Sequence, residues 1–255
     1  MNRAIRQIYP IFIYLFFYLP IVVVIALSFN QAERSLVWKG FGFNWYIELF
    51  HDTDLLLVAL HSLIIGILAA TFATLIGTIA SVSLFRYRFF GKKLLNGLIF
   101  ALILLPEIVM GISLLLLYTI LHIPLGFWTL LLAHITLCVP FVTITIYSRI
   151  VTLNADIFDA AKDLGATDFS VFIKIIVPLL FPAILAGWLL SFTLSLDDVI
   201  TSYFVTGPNY EILPLRIYSM VKLGIKPEIN ALCTILLGVT LILITAAQLA
   251  LRKKQ

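Results

Sequence analysis

The chain has 255 residues, of which 62% are hydrophobic and 12% charged, with a mean hydropathy of +1.11. Soluble domains lie nearer half apolar and a quarter charged, so this composition excludes a soluble single-domain enzyme and an intrinsically disordered chain alike. A formal net charge of +4 invites a nucleic-acid reading, which the positions of the charges remove.

A membrane-crossing helix needs about 20 mostly apolar residues. Six windows meet that length, at 8–29, 60–85, 94–120, 127–147, 178–200 and 229–251, and none contains Lys or Arg. The chain therefore reads as an all-α integral membrane protein with six transmembrane helices. The first window follows Arg3 and Arg6, and Ala26-Leu27-Ser28 faintly resembles a signal-peptidase site. Its apolar run is longer than the roughly 7–15 residues of a signal-peptide core, so it is read as a retained span.

The loop that follows carries Gly42-Phe43-Asn44-Trp45-Tyr46. The ring face of Trp45 could attract an ammonium group, or the ring could belong to an interfacial aromatic belt. On the second span, Ala69, Ala73, Gly77 and Ser81 form a small-residue stripe at four-residue spacing, a face for close packing with another helix. In the third span Pro106 precedes Glu107 and is expected to kink the helix. Counted as continuous helix from Leu94, Glu107 falls about 20 Å along the span.

His51, His61, His122 and His134 share no ligand spacing and read as packing or interfacial side chains. Cys138 and Cys233 lie inside spans and read as small buried hydrophobes. The long connection at 148–177 has structure of its own. Asn154 can cap a helix with Asp156 and Asp159 in its first turns, and Ile157, Phe158, Ala161 and Leu164 form one apolar stripe. Gly165 is placed to end that helix, and Thr167 to cap a second one running toward Pro178. Such a stripe suits a groove in another protein or the headgroup surface of a bilayer.

The fifth span ends in acids. Ser191, Ser195, Asp198 and Ser202 line one stripe, and Thr193, Asp197 and Thr201 the adjacent one. One broad polar face cannot look at lipid, so it faces protein or water. It is either part of a translocation path or a solvated helix end near the outer headgroups. As one helix from Pro178, it carries the two aspartates to about 30 Å, in the outer half of the bilayer with Glu107. Tyr203 follows and has the same two readings as Trp45.

Sorting Lys and Arg by connection places twelve on one side and five on the other. By the positive-inside rule both termini are cytoplasmic, and the basic surplus is a topology signal, not a nucleic-acid footprint. Glu107, Asp197 and Asp198 are the acids inside the spans, and no Lys or Arg accompanies them. A formally negative membrane core suits a cationic solute and argues against sulfate, phosphate or molybdate. The chain has no P-loop, H-E-x-x-H or G-x-S-x-G, so it has no nucleotide hydrolysis of its own and no sign of an enzyme.

Asp159-Ala160-Ala161, then Gly165, then Ile175-Ile176-Val177-Pro178, just before the fifth span, resembles the EAA loop of type I ABC-importer permeases. Asp159 stands where Glu is usual and Val177 where Leu is usual. Leu105-Pro106-Glu107-Ile108-Val109-Met110, the run from Ser191 to Asp198, and Thr206-Gly207-Pro208-Asn209-Tyr210-Glu211-Ile212-Leu213-Pro214-Leu215 resemble the PotC-type permeases of spermidine/putrescine importers. Glu107 sits where Asp is commoner.

The resemblance implies the type I permease (MetI-like) fold. Residues 1–59 would form an N-terminal transmembrane helix and periplasmic loop, 60–251 the transporter core, and 252–255 a cytoplasmic tail. It implies a bacterial inner-membrane protein working with a homologous PotB-type permease, two copies of a PotA-type ATPase and a periplasmic PotD-type polyamine-binding protein. This chain would hold no cofactor, and ATP and Mg2+ would be used by the ATPase. Glu107, Asp197, Asp198, Ser195, Trp45 and Tyr203 are the candidate cargo-path residues. Asp159, Ala160, Ala161, Gly165, Ile157, Phe158, Leu164 and Pro178 are the candidates for coupling to the ATPase. Other readings are a same-fold permease for Fe(III) or an opine, a gradient-driven secondary transporter, and a membrane scaffold.

Overall fold

A computed structural model describes residues 3–32, 37–154, 156–223 and 227–252. Arg34, Lys226, Lys253 and Lys254 of the topology count lie outside them, as do Ala155 and residues 253–255 of the tail. The described residues are helical apart from turns and one isolated bridge between Asn30 and Phe41. The helices are α1 (Arg3–Ser28), α2 (Asn44–His51), α3 (Thr53–Arg86), α4 (Lys92–Leu104), α5 (Glu107–Ile120) and α6 (Phe127–Ile150). After them come α7 (Asp156–Asp163), α8 (Asp168–Val171), α9 (Val177–Asp197), α10 (Ile200–Val205), α11 (Leu213–Leu223) and α12 (Pro227–Arg252).

Two compact units arise, Val58–Leu215 and Met1–Leu57 with Arg216–Gln255. Packing groups the C-terminal helix with the N-terminal one. In the smaller unit α12 packs on α1 and α2. The loop after α1 is organised by Asn30, whose side chain donates to Val37 O at 2.7 Å and accepts from Lys39 N at 2.9 Å. Phe29 stacks on Phe41 and meets Phe43 and Tyr46.

In the larger unit α6 and α9 run antiparallel. His134 meets Ser195, the Cys138 thiol donates to Ser191 O, and Val142 lies against Gly187, so each turn along α6 meets one turn back along α9. On its other side Val142 meets Gly77 of α3, where a Cβ would lie 2.7 Å from Val142 Cγ1. The small-residue stripe of α3 is buried here, and Ser81 Oγ donates to Thr143 O at 2.8 Å. Gly77→Ala is therefore expected to destabilise the unit by about 1–3 kcal/mol through overpacking. Thermal unfolding in detergent checks it, and Val142→Ala in the same chain should restore most of the loss.

Three described helical stretches are long and apolar enough to cross a membrane, Thr53–Arg86, Phe127–Ile150 and Asp168–Asp197; α4 with α5 makes a fourth if counted together. Phe12–Ser28 and Glu228–Ile242 are shorter apolar stretches. The single third span expected at 94–120 is corrected here. Leu105, pushed to an extended conformation by the following proline, ends α4, and α5 leaves at 114° to it. The helix of the fifth span likewise ends before residue 200. Asp198 is extended (φ −70°, ψ 112°), so α9 stops at Asp197 and α10 starts afresh. With α4 ended at Leu105, the depth counted along one unbroken helix to Glu107 does not apply.

At the other end of α9, a π-helical turn over Phe172–Ile176 leads into it, with Val177 N donating to Phe172 O. Pro178, exposed as the second residue of α9, has no N–H, and its ring would crowd the carbonyl four residues back; widening the turn relieves both.

Candidate functional site

Each acid inside the predicted spans sits at a helix break. Glu107 is the first residue of α5 and Asp197 the last of α9, while Asp198 occupies the gap before α10. A break frees backbone carbonyls at the end of the first half-helix, and such negative helix ends favour cations. The breaks are brought together because α5 packs on α10, with Gly111 against the Phe204 ring and the Thr201 backbone. Glu107 consequently lies within electrostatic reach of both Asp197 and Asp198.

The three acids are not equivalent. Glu107 and Asp197 are exposed in this chain; Tyr203, on α10 beyond Asp197 in sequence, is 64% exposed with its ring edge-on to Phe204. Asp198 is 5% exposed and fully engaged: Oδ1 accepts from Thr201 N at 3.1 Å, and Oδ2 from Ser202 N at 2.8 Å and Ser202 Oγ at 2.7 Å. It caps α10, satisfying N–H groups the short helix cannot satisfy itself. The two polar stripes separate accordingly. Ser191, Ser195, Asp198 and Ser202 are buried, whereas in the second stripe Thr193 and Asp197 face outward and Thr201 is buried.

His134, which sequence reasoning passed over as a packing side chain, is the centre of the buried stripe. It is fully buried, with Nδ1 2.6 Å from Ser195 Oγ, Nε2 2.9 Å from Ser202 Oγ, and Nε2 3.5 Å from Asp198 Oδ2. The signal that could have found it is the rule applied to the acids, since an ionisable group inside a span marks function by default. Trp45 belongs to the smaller unit. There its indole N–H donates to Asn30 O at 2.6 Å and helps hold the loop after α1.

The predicted coupling helix forms as α7. Asp156 N–H donates to Asn154 Oδ1, and Gly165 (φ +82°) closes the helix with Ala166 N–H reaching back to Ala161 O at 3.1 Å. Its apolar stripe is divided, contrary to the expectation of one exposed face. Phe158 and Ala161 are buried in a cluster with Ile150, Val171, Ile176 and Leu180, while Ile157 is half-buried and Leu164 is 90% exposed. Arg86, at the end of α3, holds the helix from outside, paired with Asp159 and lying over the Phe158 ring at 5.2 Å. The outward surface is Ala160, Asp163 and Leu164, continued by Phe169 of α8.

The family model for the binding-protein-dependent transport system inner membrane component matches residues 73–254. The chain belongs to this family. It is 51% identical over 254 residues to the spermidine/putrescine transport system permease protein PotC of Escherichia coli (strain K12), covering 100% of this chain and 96% of that protein. It is 48% identical over 248 residues to PotC of Haemophilus influenzae (97% of this chain, 96% of that protein). With the putrescine transport system permease protein PotI of E. coli it shares 42% over 231 residues (88% and 82%).

Among solved structures, the bacterial ABC transporter that imports the acidic polysaccharide alginate superposes with a TM-score of 0.78 at 16% identity, covering 98% of this chain and 95% of the other. The MetNI methionine transporter superposes with 0.67 at 14%, covering 79% and 96%. These likenesses show the fold: this family member has the helical architecture of ABC-importer permeases.

Proposed function

We propose that this chain is one of two permease subunits of an ATP-driven importer of spermidine and putrescine. The observation that carries the reading is its 51% identity, over its full length, to a spermidine/putrescine permease. The acids at the helix breaks supply the chemistry. A polyamine is a thin, flexible chain with ammonium groups at both ends, and Glu107 and Asp197 offer two exposed carboxylates on separate helix ends for them. Asp198 contributes its field from behind, and the free carbonyls at the ends of α4 and α9 add partial negative charge.

The chain crosses a bacterial inner membrane six times, with the richer Lys and Arg side and both termini in the cytoplasm. A PotD-type binding protein delivers polyamine to an outer mouth shared with a PotB-type permease. Two PotA-type ATPases close on ATP and Mg2+, and α7 carries that closure through Phe158 into the cluster shared by α6 and α9. The path then opens outward, ammonium groups move onto Glu107 and Asp197, and hydrolysis returns the complex to its inward state.

The test is ATP-dependent uptake by the reconstituted complex across spermidine, putrescine, Fe(III), an opine and sulfate. Uptake of the two polyamines alone is expected. Preferential uptake of another solute would replace the cargo assignment, and uptake on an ion gradient without ATP would replace the mechanism.

A further inference from the structure

Between α6, α9 and α10 lies a buried chain of polar groups for which cargo contact leaves no room, since His134, Ser195, Asp198 and Ser202 are all closed off from solvent. The hydrogen bonds have one consistent direction. Asp198 Oδ2, an acceptor, takes the Ser202 hydroxyl proton at 2.7 Å. Ser202 Oγ then accepts from His134 Nε2–H at 2.9 Å, which leaves Nδ1 bare to accept the Ser195 hydroxyl at 2.6 Å. Ser195 to His134 to Ser202 to Asp198 is thus a relay of donors ending on a carboxylate, complete with a neutral imidazole. Each bond polarises the next.

The relay spans the break that exposes Asp197. Ser195 lies two residues before Asp197 on the last turn of α9, Asp198 lies in the break itself, and Ser202 lies beyond it on α10. The imidazole, projecting from α6, bonds to both halves at once. α6 also holds α9 through Cys138 with Ser191 O and α10 through Thr129 with Val205 O, but His134 bonds to both helices with a single side chain next to the extended backbone at Asp198.

We infer that His134 is a positioning residue for cargo: by bridging Ser195 and Ser202 it fixes the direction in which the broken helix presents Asp197. This deepens the transport reading and rests on it for the identity of the cargo. It also separates two roles among neighbouring aspartates, Asp197 meeting cargo and Asp198 anchoring the break.

The experiment uses the complete reconstituted complex carrying His134→Ala, Asp197→Asn or both. His134→Ala is expected to lower spermidine uptake roughly tenfold, the scale of losing a buried hydrogen-bonded link to a charged network, with binding-protein-stimulated ATP hydrolysis kept within about twofold. Because His134 acts through Asp197, the double variant should be no worse than Asp197→Asn within about twofold. Losses that multiply to roughly a hundredfold would show independent action and overturn the inference. His134→Gln, whose amide retains a donor and an acceptor, should recover part of the loss.

A second readout needs no cargo. With Cys138 and Cys233 replaced by Ala, Asp197→Cys is labelled by a cationic methanethiosulfonate in complexes with and without His134→Ala. A change in labelling rate of about fivefold or more is expected, and an unchanged rate overturns the inference. Where His134→Ala fails to assemble, Ser202→Ala cuts the same link without altering α6 and is held to the same criteria. Failure of the unaltered complex to import spermidine would overturn the cargo assignment instead, while the labelling rates still decide the role of His134.

Discussion

Spermidine uptake by the assembled complex is expected to fall about tenfold for Asp197→Asn, about tenfold for Glu107→Gln, and roughly a hundredfold for the pair. Each change keeps the side-chain shape and removes one negative charge at a helix break. The cargo carries its positive charges apart from one another, so the two carboxylates serve different ammonium groups and their losses should add in free energy. ATP hydrolysis stimulated by the binding protein should persist in all three, because Asp197 lies at the opposite end of α9 from the coupling loop and Glu107 lies on α5, which packs on α10 beyond that end. Asp198→Asn should behave differently. It leaves fewer acceptors for Thr201 N, Ser202 N and Ser202 Oγ, and is expected to cost about 1–3 kcal/mol of stability as well as transport. Uptake in proteoliposomes with parallel thermal unfolding distinguishes the two patterns; equal uptake by unaltered and doubly substituted complexes would remove Glu107 and Asp197 from the path.

Loss of coupling is the second large effect. Phe158 is 5% exposed and shares its cluster with Ile150 of α6 and Leu180 of α9. Phe158→Ala should remove about 3–5 kcal/mol of packing, and an eight-residue helix has too little intrinsic stability to stay in place without it. Gly165→Asp acts at the same joint by another route. At φ +82° a side chain costs about 1–2 kcal/mol, and a further acid beside the C-terminal end of α7 opposes the helix dipole. In both variants ATP hydrolysis should no longer respond to loaded binding protein, and uptake should fall by more than about tenfold. A normal response of hydrolysis to binding protein in Phe158→Ala would mean that closure does not pass through this contact.

Much of this was legible in the amino-acid sequence because the bilayer allows few backbone solutions. Apolar windows fell on helices, the four-residue stripe on α3 marked a close-packing face whose partner only the structure names as α6, and Asn154 and Gly165 marked the ends of α7. The breaks were less legible. Pro106 signalled a kink, but a local rule cannot set its angle, and the 114° turn follows from what α4 and α5 each pack against. At Asp198 the polar pattern continued at helical spacing straight through a break, since a residue that caps a new helix can also fit the period of the old one.

Amphipathicity showed that α7 must bury one face without showing against what. The answer was its own chain for Phe158 and Ala161, which leaves Leu164 outside. His134 was the clearest omission. Its partners are 61 and 68 residues away, and no spacing within one span could reveal them.

The most direct measurement is photolabelling by a photoactivatable spermidine analogue in the complete complex, held in its ATP-bound state by an ATPase that binds but cannot hydrolyse the nucleotide. Mass spectrometry would locate the label on this chain. The acids at the helix breaks predict label on the segments around Glu107 and from Asp197 to Tyr203, competed by spermidine and putrescine but not by sulfate. Label confined to the partner permease, or label on this chain that polyamines do not compete, would contradict a cargo path built on these breaks.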